Sequence, residues 1–139
     1  MSSQADKTFA FLKPEALQHR LAGEVISRLE RKGFTIKQLR LHNITKKEAE
    51  TLYSLHKGKQ FFQELVDHVT SGPVVLMILE GSNAVDTLRR VIGATNPQIA
   101  EPGTIRGDLS LSITANIIHA SDSSENARKE SAIFFHDGV

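Results

Sequence analysis

Two stretches of this chain combine residue types that act on anions. The first is Gly93-Ala94-Thr95-Asn96-Pro97, followed by Pro102-Gly103-Thr104-Ile105-Arg106-Gly107-Asp108. Its prolines and glycines set an irregular backbone, at an entropic cost that a passive connector does not require. Thr95 offers a hydroxyl and Arg106 a guanidinium, the groups that grip phosphate oxygens. The same residues also suit a rigid loop whose Arg106 makes a surface ion pair. Arg106-Gly107-Asp108 spells an adhesion tripeptide as well, a reading set aside for a chain without an export signal.

The second stretch is Asn116-Ile117-Ile118-His119-Ala120-Ser121-Asp122-Ser123. A histidine ends a strand-like run, and small residues then open a helix, whose first N–H groups favour a phosphate nearby. Alternation puts His119 on the face of Ile117, which also suits a core histidine. The chain has no Walker loop and no Gly-x-Gly-x-x-Gly, so phosphate handling would rest on side chains. It has no His-Glu-x-x-His and no zinc-spaced histidine pair. With no cysteine there is no disulfide scaffold, thiolate metal site or cysteine nucleophile.

The elements that must position these stretches follow from periodicity and punctuation. Thr8 to Leu12 reads as a strand ended by Lys13-Pro14, and Gly23 to Lys32 as a helix stopped by Gly33. Phe34 to Leu41 reads as a strand whose alternation slips between Ile36 and Leu39, predicting a bulge. Thr45 and Glu48 have capping-box spacing and open a helix to about Leu55; a second helix spans Gln60 to Thr70. Val74 to Glu80 is uniformly apolar, predicting a central strand covered on both faces. Asn83 is expected to cap a helix closed by Gly93. Ala94 to Ser112 is expected to be mostly loop, Asn116 to His119 a strand, and the residues from Asp122 or Ser123 to Phe134 a helix.

This order fits a ferredoxin-like α+β sandwich, with a four-stranded antiparallel sheet and surrounding helices. A doubly wound parallel sheet is the alternative. The 139 residues, read as one domain over 1–139, suffice to bury a core without metal or disulfide. Lys plus Arg (17) nearly cancels Asp plus Glu (16), which argues against a tail-mediated nucleic-acid binder. The start at Met1-Ser2-Ser3-Gln4 shows no signal-peptide character, and the longest apolar run, Val74 to Leu79, is too short for a membrane span. A cytoplasmic location, with no membrane partner, is the expectation.

The Asn116–Ser123 stretch closely resembles the active-site signature of nucleoside diphosphate kinases. Thr8-Phe9, Lys13-Pro14, Gly33-Phe34, Tyr53, Phe61-Phe62, Ser71-Gly72-Pro73-Val74-Val75, Glu80-Gly81 and the Gly93–Asp108 segment fall in the same family order, from about Lys7 to Phe135. The resemblance implies transfer of a γ-phosphate from a nucleoside triphosphate, mainly ATP, to a nucleoside diphosphate through a phosphohistidine. It implies that His119 is the nucleophile, that Glu130 accepts from its other ring nitrogen, and that Ser121 supports Glu130. Glu130 read alone also suits an exposed helix-face charge. Lys13, Arg89 and Arg106 would neutralise the phosphoryl group, and Thr95 would bond a phosphate oxygen. Phe61 would stack on the base, Asn116 with Lys13 would meet the ribose, and Tyr53 would lie close to the histidine; Phe62 is expected in the core. Magnesium would ride on the nucleotide's phosphates, with Asp122 touching it through water.

Departures from the family pattern are Glu15 in place of aspartate, His19 beside Arg20 in place of arginine, and Ala120 in place of glycine after the histidine. Ala120 implies that no left-handed backbone is needed there. Glu15 is expected to serve structure. The resemblance further implies a homo-oligomer, a hexamer favoured over a tetramer because the 93–108 loop keeps full length with Pro97 and Pro102. The rival binding-module reading starts from Lys32-Gly33-Phe34, which opens like an RNA-binding motif that Thr35 and Ile36 then break. No stable nucleic-acid partner is expected.

Overall fold

The computed structural model describes residues 5–110, 112–113 and 115–139. Met1–Gln4, the start expected to lack a signal, and Leu111 of the expected loop lie outside the described residues. Strands β1 (Ala5–Leu12), β2 (Thr35–His42), β3 (Val74–Ser82) and β4 (Ile118–Ala120) form one sheet in the order β2-β3-β1-β4. Every pairing is antiparallel, which removes the doubly wound alternative. The expected bulge in β2 falls between Ile36 and Gln38, where the register against β3 shifts.

The helices are α1 (Pro14–Gln18), α2 (Ala22–Lys32), α3 (Lys46–Leu52) and α4 (Phe62–Val69) in the first half. They are followed by α5 (Ala84–Ile92), α6 (Ile105–Leu109) and α7 (Ser124–Phe134). One sheet face presents Ala10, Leu12, Met77 and Leu79 to Val25, Leu29, Leu88 and Ile92 of α2 and α5. The other presents Phe9, Phe11, Leu76 and Ile78 to residues of α3, α4 and α7, including Ala49, Val66 and Phe134. With both faces covered, Phe9 to Leu12 of β1 and Val74 to Leu79 of β3 are apolar without a break, and that is why this part of β3 shows no alternation.

Local signals account for most boundaries. Gly33 closes α2 at φ 116°, a left-handed cap open to glycine at little cost. Thr45 and Glu48 make both bonds of the capping box at α3. That helix stops at Leu52 rather than Leu55, and a single 3-10 turn at Ser54–His56 follows. Asn83, expected to cap α5, sits in a left-handed conformation without a side-chain cap bond; the Asp6 carboxylate takes the Ala84 N–H instead. At α7 the cap is Ser123, accepting from Asn126 N.

Two short helices were not expected. Lys13-Pro14, read as the end of a strand, is also the start of α1, with proline at a first-turn position where its missing N–H costs nothing. The 94–112 stretch, read as loop, contains α6, opened by Thr104 accepting from Gly107 N. A Cβ at Gly107 would lie 2.0 Å from the Glu101 carbonyl oxygen, so this tight return requires glycine.

The last strand starts two residues later than the expected Asn116–His119 and ends one later, because Ile117 has φ 79° and breaks the extended run. Ile117 joins the core cluster beneath α2 and α5, while the His119 ring lies against Phe11 on the opposite side of the sheet. The expectation that both share a face is therefore overturned. Ala120 is not among the residues with positive φ, in agreement with its methyl group.

Candidate active site

The site gathers where β1 ends, β4 runs beside it and α5, α6 and α7 converge. His119 is held in the middle of β4, opposite Phe11 of β1. Its ring stacks on Phe11 with centroids 4.9 Å apart and meets Tyr53 edge-on at 6.5 Å. Nε2 donates to Glu130 Oε1 at 2.7 Å, since an ionised carboxylate can only accept. That bond fixes the tautomer and leaves the Nδ1 lone pair as the nucleophilic one. Ser121 Oγ donates to the same Glu130 oxygen at 2.7 Å, and Ser121 N is anchored on the Phe9 carbonyl. Glu130 reaches this position from the second turn of α7, and its side chain is mostly buried rather than an exposed helix-face charge.

A second cluster holds buried positive charge. Lys13, directly after β1, is 7% exposed and donates from Nζ to Asn116 Oδ1 at 2.8 Å. Burial lowers its pKa to about 8, with Glu15 opposing that shift and Arg106 adding to it. Arg106 is 8% exposed and spreads its three nitrogens over three carbonyls. Nε donates to Asn116, one terminal nitrogen to Gly93 and the other to Ile118, the last at 2.7 Å. Burial and the neighbouring Arg89 lower its pKa to about 10. Two buried cations without a full complement of anions are an unfavourable arrangement for folding alone, and a bound polyanion relieves it.

The remaining expected residues sit around these clusters. Arg89 on α5 is exposed and donates to the Ala120 carbonyl at 3.3 Å. Thr95 is exposed and contributes its carbonyl, not its hydroxyl, to Asn116 Nδ2. Tyr53 is buried, and burial together with Glu130 and Glu15 pushes its phenol well above the ordinary value. Phe61 is 45% exposed just before α4, with Lys59 Nζ 5.8 Å from its centroid, whereas Phe62 packs against the Phe9 and Phe11 cluster. Asp122 is exposed and accepts from Asn126 Nδ2.

Sequence reasoning missed His56. Its ring lies 5.2 Å from Phe61 and 6.5 Å from Tyr53, so Phe61, His56, Tyr53 and His119 form a chain of rings from surface to site. Glu15 and His68, paired at 2.7 Å, were also missed as a unit. A cavity of about 630 Å³ lies apart from all these residues, between α2 and α5. Its Arg28 is paired with Glu24 and Asp108.

The arrangement is a shielded imidazole with one free nitrogen beside two buried cations, which suits phosphoryl transfer. Comparison with known proteins points the same way. Residues 6–138 match the family model described as nucleoside diphosphate kinase. A nucleoside diphosphate kinase of Sulfolobus acidocaldarius is 53% identical over 131 residues, covering 94% of this chain and 90% of that protein. Nucleoside diphosphate kinase 1 of Arabidopsis thaliana is 53% identical over 133 residues, covering 96% and 89%. Among solved structures, the halophilic nucleoside diphosphate kinase of Halobacterium salinarum, in complex with CDP, superposes with a TM-score of 0.93 at 39% identity. It covers 96% of this chain and 90% of its own. The enzyme of Encephalitozoon cuniculi gives 0.92 at 41%, covering 95% and 90%. With family model, sequence relatives and fold in agreement, the chain belongs to the nucleoside diphosphate kinase family.

Proposed function

We propose that this kinase transfers the γ-phosphate of a nucleoside triphosphate, mainly ATP, to a nucleoside diphosphate in two half-reactions through His119. In the first, the Nδ1 lone pair forms a bond to the γ-phosphorus as the bond to the bridging oxygen breaks, and the nucleoside diphosphate leaves. In the second, a terminal phosphate oxygen of another nucleoside diphosphate takes the phosphoryl group and the P–N bond breaks. The proton on Nε2 stays in place throughout, held towards Glu130. The observation that carries the reading is that single bond of 2.7 Å, because it commits one nitrogen and frees the other.

Lys13, Arg106 and Arg89 offset charge on the group in flight, and Tyr53 walls the imidazole from water. Phe61 stacks on the base and Asn116 with Lys13 meets the ribose. Thr95 turns its hydroxyl to a phosphate oxygen. A divalent cation, taken as magnesium, neutralises the β and γ phosphates when bound. Among the described residues no group of three His, Asp or Glu could cage a metal, and the cation is taken here as one carried in by the nucleotide. Asp122 is the exposed carboxylate suited to one of its waters.

Self-association into a hexamer, favoured over a tetramer, is part of the same reading. It is supported by Leu39 and Leu41 at 52% and 66% exposure on the edge strand β2, and by Ile99 at 71% in the 93–108 segment. A cytoplasmic location is proposed too; no helix among the described residues is long and apolar enough to cross a membrane.

Incubation with ATP labelled at the γ position tests the mechanism. The expected product carries one acid-labile, base-stable phosphate per chain, transferable to any nucleoside diphosphate and absent from His119→Ala. Label that survives in His119→Ala, or exchange above roughly one part in a hundred of wild type, overturns the assignment. Light scattering that gives a mass near four chains ends the hexamer.

A further inference from the structure

Ile117 is two residues before the nucleophile and has φ 79°, a conformation that a β-branched side chain adopts only when its surroundings enforce it. Those surroundings are explicit. Its carbonyl accepts from Lys13 N at 2.8 Å, and the carbonyls on either side of it, Asn116 and Ile118, accept from Arg106. Its own N–H donates to Glu15 Oε2 at 3.0 Å. Glu15 is 5% exposed, and its second oxygen accepts from His68 Nε2 at 2.7 Å. Burial alone would raise the Glu15 carboxyl, but the bonds from His68 and Ile117 outweigh it and hold the group below its ordinary value. Lys13 and Tyr53 also face this carboxylate, the first favouring its charge and the second a neutral neighbour.

His68 lies in the last turn of α4, the helix that Phe61 precedes. We infer that His68 is a positioning residue for phosphoryl transfer: through Glu15 it ties the helix behind the nucleotide-stacking Phe61 to the strained Asn116–Ile117 backbone that sets Asn116, Lys13 and His119. The inference rests on the phosphohistidine reading above. Among the described residues the Glu15 carboxylate accepts from His68, from the Ile117 N–H and from its own backbone N–H. Without His68 the buried carboxylate loses the bond that most favours its charge, so Glu15 protonates or turns, and its grip on the Ile117 N–H weakens. Ile117 then relaxes towards extended backbone. Asn116, which holds the Lys13 ammonium, is displaced with it. A misplaced ammonium costs rate before affinity, because it acts on charge that builds only during transfer.

The experiment compares wild type with His68→Phe, which keeps ring volume and loses the donor, and His68→Gln, which keeps an N–H donor. Steady-state kcat and KM with ATP and a nucleoside diphosphate, a thermal melt, and labelling of His119 are read on each. His68→Phe is expected to fold cooperatively, to lose about tenfold or more in kcat, and to hold KM within about twofold. His68→Gln is expected to regain most of the lost kcat. The inference is overturned if His68→Phe keeps wild-type kcat with only a lower melting temperature, if only KM changes, or if His68→Gln folds yet is no better than His68→Phe. Wild type that fails to label would overturn the phosphohistidine reading and this inference with it. Wild type that labels beside unaffected variants overturns this inference alone.

Discussion

His119 and Glu130 are joined by one bond of 2.7 Å, and the Glu130 oxygen that accepts it also accepts Ser121 Oγ at the same distance. Both donors therefore compete for, and jointly orient, a single oxygen. Glu130→Gln removes the charge that supports positive character on the imidazole as it attacks. We expect a loss of about tenfold or more in the rate of His119 phosphorylation, as for bonds to charged groups. Ser121→Ala should cost less, since the His119 bond survives it. Rapid-quench measurement of the first half-reaction decides; equal losses from both variants would show that Ser121 acts on more than Glu130.

Lys13 gives a pH dependence of definite sign. Its pKa in the folded chain is about 8, chiefly through burial, against an ordinary value of 10.5. The ammonium is therefore lost as pH rises through about 8, and kcat/KM for free enzyme should fall above that point. For stability the sign is opposite. Between about 8 and 10.5 the unfolded chain holds a proton that the folded chain has released, so this group's contribution to stability rises with pH there. Below about 8 its destabilising effect is fully present. Lys13→Met should accordingly melt higher than wild type at pH 7 while losing nearly all transfer. A lower melting temperature for Lys13→Met would show that the bond to Asn116 outweighs the burial of charge.

The frame of this site was more legible in the sequence than its seams. Uniform apolarity placed β3 at the centre, Gly33 ended α2, and the slip in alternation located the β2 bulge, because each signal is local. Helix α6 escaped because Pro102, Gly103 and Gly107 read as turn residues, while the Arg106 bonds to the Asn116, Gly93 and Ile118 carbonyls, which help hold its five residues, come from outside the segment's own pattern. The start of β4 was misplaced for a related reason. Asn116-Ile117-Ile118 has strand propensity, yet Glu15, 102 positions earlier, holds Ile117 out of the strand. Nothing in local spacing announces such a partner. His68 and Glu15, 53 positions apart, are invisible to pattern reading in the same way.

Arg106 is as much a staple as a charge, and Arg106→Lys separates the roles. A lysine keeps the cation but cannot reach the Asn116, Gly93 and Ile118 carbonyls together. Stability should fall by about 2 kcal/mol, with kcat lowered far more than KM is raised. A urea melt beside Arg31→Ala, an exposed cation with a surface role at most, supplies the reference. If Arg106→Lys and Arg31→Ala melt alike, the three carbonyl bonds contribute little.

Phe61 is the one aromatic ring of the site that faces solvent, at 45% exposure, with the His56 ring behind it at 5.2 Å and Lys59 Nζ 5.8 Å from its centroid. A base laid on this ring meets a π-face, and every base presents one. The polar side chains that define the site, Lys13, Asn116 and Arg106, are taken up with each other and with backbone carbonyls, and none is committed to a base edge. Phe61→Ala should therefore weaken adenine, guanine, cytosine and uracil nucleotides by similar factors, about 1–3 kcal/mol each. The loss should appear in KM and leave kcat at saturation nearly unchanged, because stacking is the same in the ground and transition states. Phe62→Ala is the contrasting variant: it opens space beside the Phe9 and Phe11 cluster and should lower the melting temperature instead. A Phe61→Ala enzyme that lost purine nucleotides while keeping pyrimidine nucleotides would show that some group reads base edges, and the broad nucleotide range expected from stacking would not hold.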